Sequence, residues 1–544
     1  MTETPLTATK PTPRTTAAAA AAPGGGQRGG LIRSSMVYSA FTLISRVMGF
    51  ARDLALSYYM GASATFAADA FNTAFAFPNL FRRIFAEGAF ASAFVPAYSR
   101  SLEKDGEHVA DELAADAMAT LAATTLAITV VAELTMPWLM HLIAPGFAAN
   151  PAKFHLAVVL TMITMPYLPC MAIVAHLAGV LNARNRFILS AAAPILLNAV
   201  TLACVIPTRT PFQSALWASI GTLIAGVLQA SLLLWGARKT GAHVSLSIVP
   251  VFSKDINALL LLAVPGALAA AATQLNVFVS QFFSSGVKGA TMWMAIADRF
   301  YQLPLGLVGV AIGTALLPAL SRAVHAQDHE HAQKTMDQAV VFALVFALPA
   351  AVALVAMPYF LVDAVYVRGE FLTFDAQWTA RCLFHYGWGV PAFVLTRILN
   401  PAFFARKDTF GPMKFALVSV VTNIVVGVSM FHVIGVPGLA VGTSTAAWVN
   451  VLLMLVTLHR RGTWTIHKAA LGKALLVLLA SLGMAAFCFA ASHYRLRIQS
   501  VVGGKEIAVL LVSLVGVFVY IGLLFTSGAV RPSELKAMLR RRRG

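Results

Sequence analysis

Apolar residues run in long blocks along this chain, each of 18 or more positions, from about residue 36 to residue 527, with short polar punctuation between them. A helix of about 20 apolar residues crosses a hydrocarbon core of about 30 Å. Blocks at 36–59, 66–98, 110–142, 154–182, 187–207, 212–237, 253–284, 290–321, 335–363, 375–402, 410–433, 437–458, 469–491 and 506–527 predict fourteen such helices. Several exceed what a straight span needs, so tilt, kinks or extensions beyond the bilayer are expected. Pro78, Pro166, Pro265, Pro304 and Pro391 fall inside these blocks, where each removes a backbone donor, and some of the helices are expected to be broken. Residues 1–34, rich in Ala, Thr, Pro and Gly, read as a disordered basic tail, and residues 529–544 as a second basic tail.

Composition agrees with the pattern: 58% of the residues are hydrophobic and 11% charged, where a soluble domain has about 25% charged residues. The fold class predicted is an all-α polytopic membrane protein. Its net charge of +18 follows from where the cations sit. With alternating spans and a cytoplasmic N-terminus, the cytoplasmic segments hold 26 of the 40 Lys and Arg, ending in Arg540–Arg543. The opposite side holds Lys153, Arg209, Lys288, Arg368, Arg495, Arg497 and Lys505. That asymmetry assigns both termini to the cytoplasm. It also removes the case for a nucleic-acid partner, since no segment outside the spans is long enough to form a soluble module. Cys170, Cys204, Cys382 and Cys488 all lie in spans and read as packing residues, with neither a disulfide framework nor a metal site. The group His325, Asp328, His329 and His331 lies in a short polar loop and reads as hydrated. No phosphate-loop motif occurs, and no cofactor is implied.

With Lys254, Lys414 and Lys473 counted among the cytoplasmic residues at the span ends where they lie, seven basic residues remain inside spans: Arg46, Arg52, Arg82, Arg83, Arg299, Arg381 and Arg397. Four arginines facing lipid at mid-bilayer would cost about 10–14 kcal/mol, so water, a ligand or counter-charge must meet them. Arg381 reads as a residue near a span end, and Arg397 fits that reading or an inward-facing one equally. The others have a pattern. Asp69, Asn72, Asn79, Arg83 and Glu87 form one polar stripe on a helix, with Arg82 beside it. In the first span Arg46, Gly49 and Asp53 share a face, with Arg52 alongside. Acids and arginines on these helices either pair structurally or serve a ligand. Because the arginines outnumber nearby acids, an anion is favoured, and the planar guanidinium fork suits phosphate.

The chain also repeats itself. FVPAYSR at 94–100 and LLPALSR at 316–322 are offset by 222 residues, and polar residues flank a proline upstream of each, at Pro78 and Pro304. Six spans and then six more would insert in the same sense, giving two lobes related by a pseudo-two-fold along the membrane normal with a site between them. Arg299 then faces Arg46, Arg52 and Arg82 across the gap. The small-residue pair Gly438 and Gly442 predicts close helix packing.

SRVMGFARD (45–53), ADAF (68–71), FPNLFRRIFAEGAFASAFVP (77–96) and ADRFYQLPLG with VAIGTALLPALS (297–321) resemble the MurJ (MviN) lipid II flippases, members of the multidrug/oligosaccharidyl-lipid/polysaccharide exporter superfamily. The likeness runs from about residue 36 to the end. It implies an N-lobe at 35–240, a C-lobe at 250–460 and two further helices at 468–528 that form a groove for a lipid tail. It implies that Arg46, Arg52, Arg82 and Arg299 contact the diphosphate and sugar head of lipid II, with Asp69 and Glu87 as acids of the same site; the stripe adds Asn79 and Arg83. The expected setting is the bacterial cytoplasmic (inner) membrane, and the expected partners are lipid II, membrane lipids and cell-wall synthesis proteins. The chain is then a flippase acting by alternating access, and no enzyme. Two departures stand out: Ala76 occupies a position that is cationic in other members, and the seventh span has Gln274 and Asn276 but no carboxylate, which argues against sodium coupling. The competing readings are a flippase for another polyprenyl-diphosphate-linked glycan and a cation or drug antiporter of the same fold; the second would need an excess of cavity acids.

Overall fold

A computed structural model of the protein describes residues 25–83, 90–242, 244–245, 247–313, 316–406 and 408–529. The helices in chain order are α1 Gly25–Met60, α2 Ala67–Arg82, α3 Phe90–Lys104, α4 Glu107–Ile143, α5 Pro151–Thr164, α6 Tyr167–Ala183, α7 Phe187–Val205, α8 Pro211–Lys239, α9 Lys254–Ser284 and α10 Ala290–Gly313. They continue as α11 Leu316–His325, α12 His329–Ala356, α13 Pro358–Tyr366, α14 Thr373–Gly387, α15 Val390–Phe404, α16 Phe410–Ile434, α17 Pro437–Arg460, α18 Lys468–His493, α19 Arg495–Val502 and α20 Lys505–Thr526. Among the described residues nine segments are long and apolar enough to cross a membrane without interruption, with α5 and α6 counted as one. Each of the fourteen predicted spans corresponds to one helix or to a consecutive pair.

The pairs are α2/α3, α5/α6, α10/α11, α12/α13 and α14/α15; residues 84–89 and 314–315, between the members of the first and third pairs, lie outside the described residues. Proline position explains the other three breaks. Pro166 is the N-cap of α6, Pro358 opens α13 and Pro391 lies in the first turn of α15, where a missing N–H forfeits no helical hydrogen bond. Met357, just before Pro358, is pushed to φ −135° and ψ 43°, out of the helical region. The break at Pro358 was not anticipated in the apolar block. Conversely, Pro78, Pro265 and Pro304 lie within continuous helices, because one lost donor in mid-helix bends the rod without ending it.

Helix starts are built from local chemistry. Asn150 accepts from the Ala152 and Lys153 amides ahead of Pro151, Thr210 caps α8 through the Gln213 amide, and Asp328 caps α12 through the His331 amide. Small residues set the closest packing: a Cβ on Gly442 would lie 2.5 Å from the Gly427 Cα, and one on Gly438 would lie 2.3 Å from the Met430 carbonyl carbon. Thus α16 and α17 touch backbone to backbone, as the small-residue spacing predicts. The four cysteines are free thiols; Cys382 and Cys488 are buried, while Cys170 and Cys204 are half-buried beside Gly226 and Gly221. Large apolar residues lie exposed along α18 and α20, among them Leu475, Leu479, Phe489, Leu510 and Phe518, the surface that a hydrocarbon solvent requires.

The two matching heptapeptides are both helical, one within α3 and the other at the start of α11. Tyr98 and Leu320, at equivalent places in the two, are both fully buried. Between the two halves, Asp69 near the start of α2 accepts a hydrogen bond of 2.6 Å from the Thr291 hydroxyl near the start of α10, across a separation of 222 residues. The two halves therefore meet through a buried carboxylate and a hydroxyl near the starts of α2 and α10.

Candidate functional site

α1, α2 and α10 bring their charges to one place. Arg52, buried on α1, directs Nη2 and Nε to Asp53 Oδ1 at 2.8 and 3.2 Å. The other oxygen of Asp53 lies 2.6 Å from Arg299 Nε on α10, a contact of opposite charges that is not aligned as a hydrogen bond. One carboxylate thus ties an arginine of the first half to an arginine of the second. Arg52 also stacks over Phe75 of α2, 5.4 Å from the ring centre. Arg299 remains about half exposed, with 47% of its side chain accessible, so its second face is free to meet a ligand.

Around this triad lie further cations. Arg46 is exposed, and its guanidinium rests on α10 where Gly306 leaves room: a Cβ there would fall 2.2 Å from Nη1. Arg83, just past α2, is exposed and lies within electrostatic range of Asp298, as Arg299 does. Gln302 donates to Asp298 from one turn further along α10. Tyr301 stacks on Phe393 of α15 at 5.0 Å and meets Tyr386 of α14 at 4.9 Å, forming an aromatic wall. Arg397, exposed on α15, lies within electrostatic range of Tyr301. Among these described groups, Arg46, Arg52, Arg83, Arg299 and Arg397 stand against Asp53 and Asp298. The surplus is positive, and it favours an anion.

The end of α1 and α2 away from Arg46 and Arg83 is closed. Asp69 is fully buried; its carboxylate takes Lys153 Nζ at 2.8 Å, the Gly289 amide at 2.9 Å and the Thr291 hydroxyl. Asp375 of α14, equally buried, accepts the Ser63 amide at 3.0 Å and Trp293 Nε1 at 2.9 Å. Each acid therefore binds a backbone amide from the loop of the opposite half. The loops also press together: the Glu370 amide donates to the Tyr58 carbonyl at 2.9 Å, and Cβ atoms on Gly61 and Gly146 would lie 2.3 Å from Glu370 O and Gly286 N.

Residues 56–502 match the family described as Lipid II flippase MurJ. The chain belongs to that family. A probable lipid II flippase MurJ from Rhizobium tropici is 35% identical over 524 residues, covering 94% of this chain and 97% of the relative. A solved structure described as lipid II flippase MurJ in an inward closed conformation superposes with a TM-score of 0.76 at 25% identity, covering 91% of this chain and all of that one. An inward-facing multidrug transporter of the MATE family, in the MOP superfamily, gives 0.65 at 14% identity over 78% of this chain, which is a likeness of fold.

Set in this MurJ fold, the residues picked out by sequence separate into two groups. Arg46, Arg52, Arg83 and Arg299 gather at the α1/α2/α10 junction. Asn79 lies on the same length of α2, half-buried, and donates to the Phe75 carbonyl at 2.8 Å. Asp69 does not join them; it lies ten residues earlier on α2, inside the closed end. Arg82 is placed only as the last residue of α2, with its side chain undescribed, and Glu87 lies outside the described residues. The sequence reading missed Asp298 and Arg397 as neighbours of the cluster, and missed Lys153 as the buried partner of Asp69. Asp298 had a signal, an acid directly beside Arg299 within a span. Lys153 had less, since next to a span start it reads as a loop cation.

Proposed function

We propose that this MurJ-family protein is a transporter that moves lipid II, a polyprenyl-diphosphate-linked peptidoglycan precursor, from the cytoplasmic to the outer leaflet of the bacterial inner membrane, with both termini in the cytoplasm. No covalent bond changes. The observation that carries the reading is the Arg52–Asp53–Arg299 bridge between the two halves, set in a cluster where arginines outnumber acids. A diphosphate offers several acceptor oxygens, and two guanidinium forks converging from opposite lobes suit it. Asp53 accepts from the Arg52 fork and holds Arg299 beside it by charge. A bound diphosphate would take over the Arg52 donors and offer oxygens to Arg299, and the halves would remain drawn together through the ligand. In the proposed division, residues 35–240 form one lobe, 250–460 the other, and 468–528 a groove beside α12 and α13 for the polyprenyl tail.

Under the proposed topology the closed end, with Asp69, Lys153 and Asp375, faces outward, and Arg46 and Arg83 lie toward the cytoplasm. The head enters from that side, and rocking of the lobes breaks the Asp69 and Asp375 contacts and opens the outer face. With the interior negative, outward movement of an anionic head gains about 2.3 kcal/mol per charge per 100 mV. An antiporter of cations is disfavoured by the arginine surplus.

The test is a flipping assay in cells whose only copy of the protein is replaced by Arg299→Ala. Lipid II is expected to accumulate on the cytoplasmic side while the variant inserts at normal abundance. Normal outer-leaflet lipid II in that strain would remove the basis for an arginine-lined diphosphate site, and accumulation of a different polyprenyl-linked glycan would reassign the substrate.

A further inference from the structure

The positive-inside pattern leaves only seven basic residues on the proposed outer side, and four of them converge at one corner. Arg368 follows α13, Arg495 and Arg497 are on α19, and Lys505 opens α20. Two acids partly offset them: Arg368 Nη2 lies 3.0 Å from Glu506, and Lys505 Nζ lies 3.3 Å from both Asp363 and the Val367 carbonyl. Arg495 stacks over Tyr359 of α13, 4.9 Å from the ring centre. Arg497 is exposed and makes no ion pair among the described residues. Four cations against two acids leave a positive surplus where the membrane's own rule disfavours one.

The depth of this corner is fixed by its neighbours. α19 joins the end of α18 to the start of α20, so it lies at the membrane boundary. It has no buried residue, and Leu496 and Val501 are 70% and 85% exposed next to the exposed arginine. Apolar and cationic side chains exposed together on one short helix at that depth suit the seam between acyl chains and phosphates. α13 connects the corner to the cavity. Tyr359 and Asp363 meet α19 and α20, while Tyr366, at the far end of the same helical stripe, packs on Phe50 of α1 and on Phe300, the neighbour of Arg299.

We propose that α19, with the adjoining ends of α13 and α20, forms an outer-leaflet binding site for a lipid phosphate, in which Arg495 and Arg497 are donors and Leu496 and Val501 rest in the acyl boundary. The phosphate belongs either to an anionic phospholipid of that leaflet or to the polyprenyl diphosphate leaving the cavity along α13. The proposal rests on the outward orientation given to α18 and α20 above.

The full-length protein in lipid nanodiscs tests it, with retained lipid measured by mass spectrometry after titration with dioleoylphosphatidylglycerol or with undecaprenyl diphosphate. Arg495→Gln combined with Arg497→Gln is expected to weaken retention of one of these probes by about fivefold per arginine, since each cation near a charged lipid surface contributes on that scale. Loss with phosphatidylglycerol assigns the site to bulk lipid; loss with undecaprenyl diphosphate assigns it to the departing substrate. Unchanged retention of both overturns the proposal. Arg52→Ala run in parallel separates the two readings: if undecaprenyl diphosphate responds to Arg52 and neither probe responds to the α19 arginines, the cavity stands and the outer site falls. Labelling of Val501→Cys by an impermeant thiol reagent from outside checks the orientation, and protection from that side would also overturn the site.

Discussion

Arg52 and Arg299 come from opposite halves of the chain and share the carboxylate of Asp53, so the chemistry at residue scale depends on donor geometry as well as on charge. Arg46→Lys keeps the positive charge and loses the fork. It is expected to support growth with a reduced flipping rate at normal protein abundance, and wild-type flipping by this variant would show that a point charge suffices. Gly306→Val offers a sharper test of placement. The new side chain would fall on the Arg46 guanidinium, which is the far end of a flexible side chain. Folding is therefore expected to survive while Arg46 is displaced, and flipping is expected to fall toward the level of Arg46→Ala. Equal flipping by Gly306→Val and the parent would mean that Arg46 does not work from where it rests on α10.

At the scale of the element, α2 shows what a stripe of polar residues conveys and what it does not. The periodicity of Asp69, Asn72, Asn79 and Arg83 identified an inward face, and the face is real: Asp69 is buried, and Asn72 reaches Met292 of α10. Periodicity does not say which partner meets each position along the rod. Asp69 found Lys153, Gly289 and Thr291, partners from α5 and the second half that no local spacing reveals. The breaks were legible in the same partial way, since proline in a first turn ends a helix and proline in mid-helix does not, and the sequence gives no register for that distinction. Because Asp69 and Lys153 are both buried, removing one leaves the other charge uncompensated, at a cost of about 3–5 kcal/mol. Lys153→Met is accordingly expected to lower the thermal unfolding midpoint and the abundance of the protein. Adding Asp69→Leu is expected to recover part of that loss, because no buried charge is then left alone. If the double variant is as unstable as the single one, the pair contributes through packing rather than charge.

For the whole molecule, the two halves are latched at one end and present their arginines at the other. Asp375→Asn keeps the shape of the side chain and weakens its hold on the Ser63 amide and Trp293. This change is expected to shift the population toward the outward-open state. In a background with the four native cysteines replaced, Arg83→Cys is expected to react slowly with an impermeant thiol reagent from outside, and faster once Asp375→Asn is added. Equal reaction with and without Asp375→Asn would mean that the latch does not gate this face. The contact between Asp69 and Thr291, 222 residues apart, has one more consequence. The acceptor and the donor belong to one polypeptide, so this contact between the halves is intramolecular. The closed end therefore forms without a second molecule, and its population does not depend on the protein's concentration in the membrane.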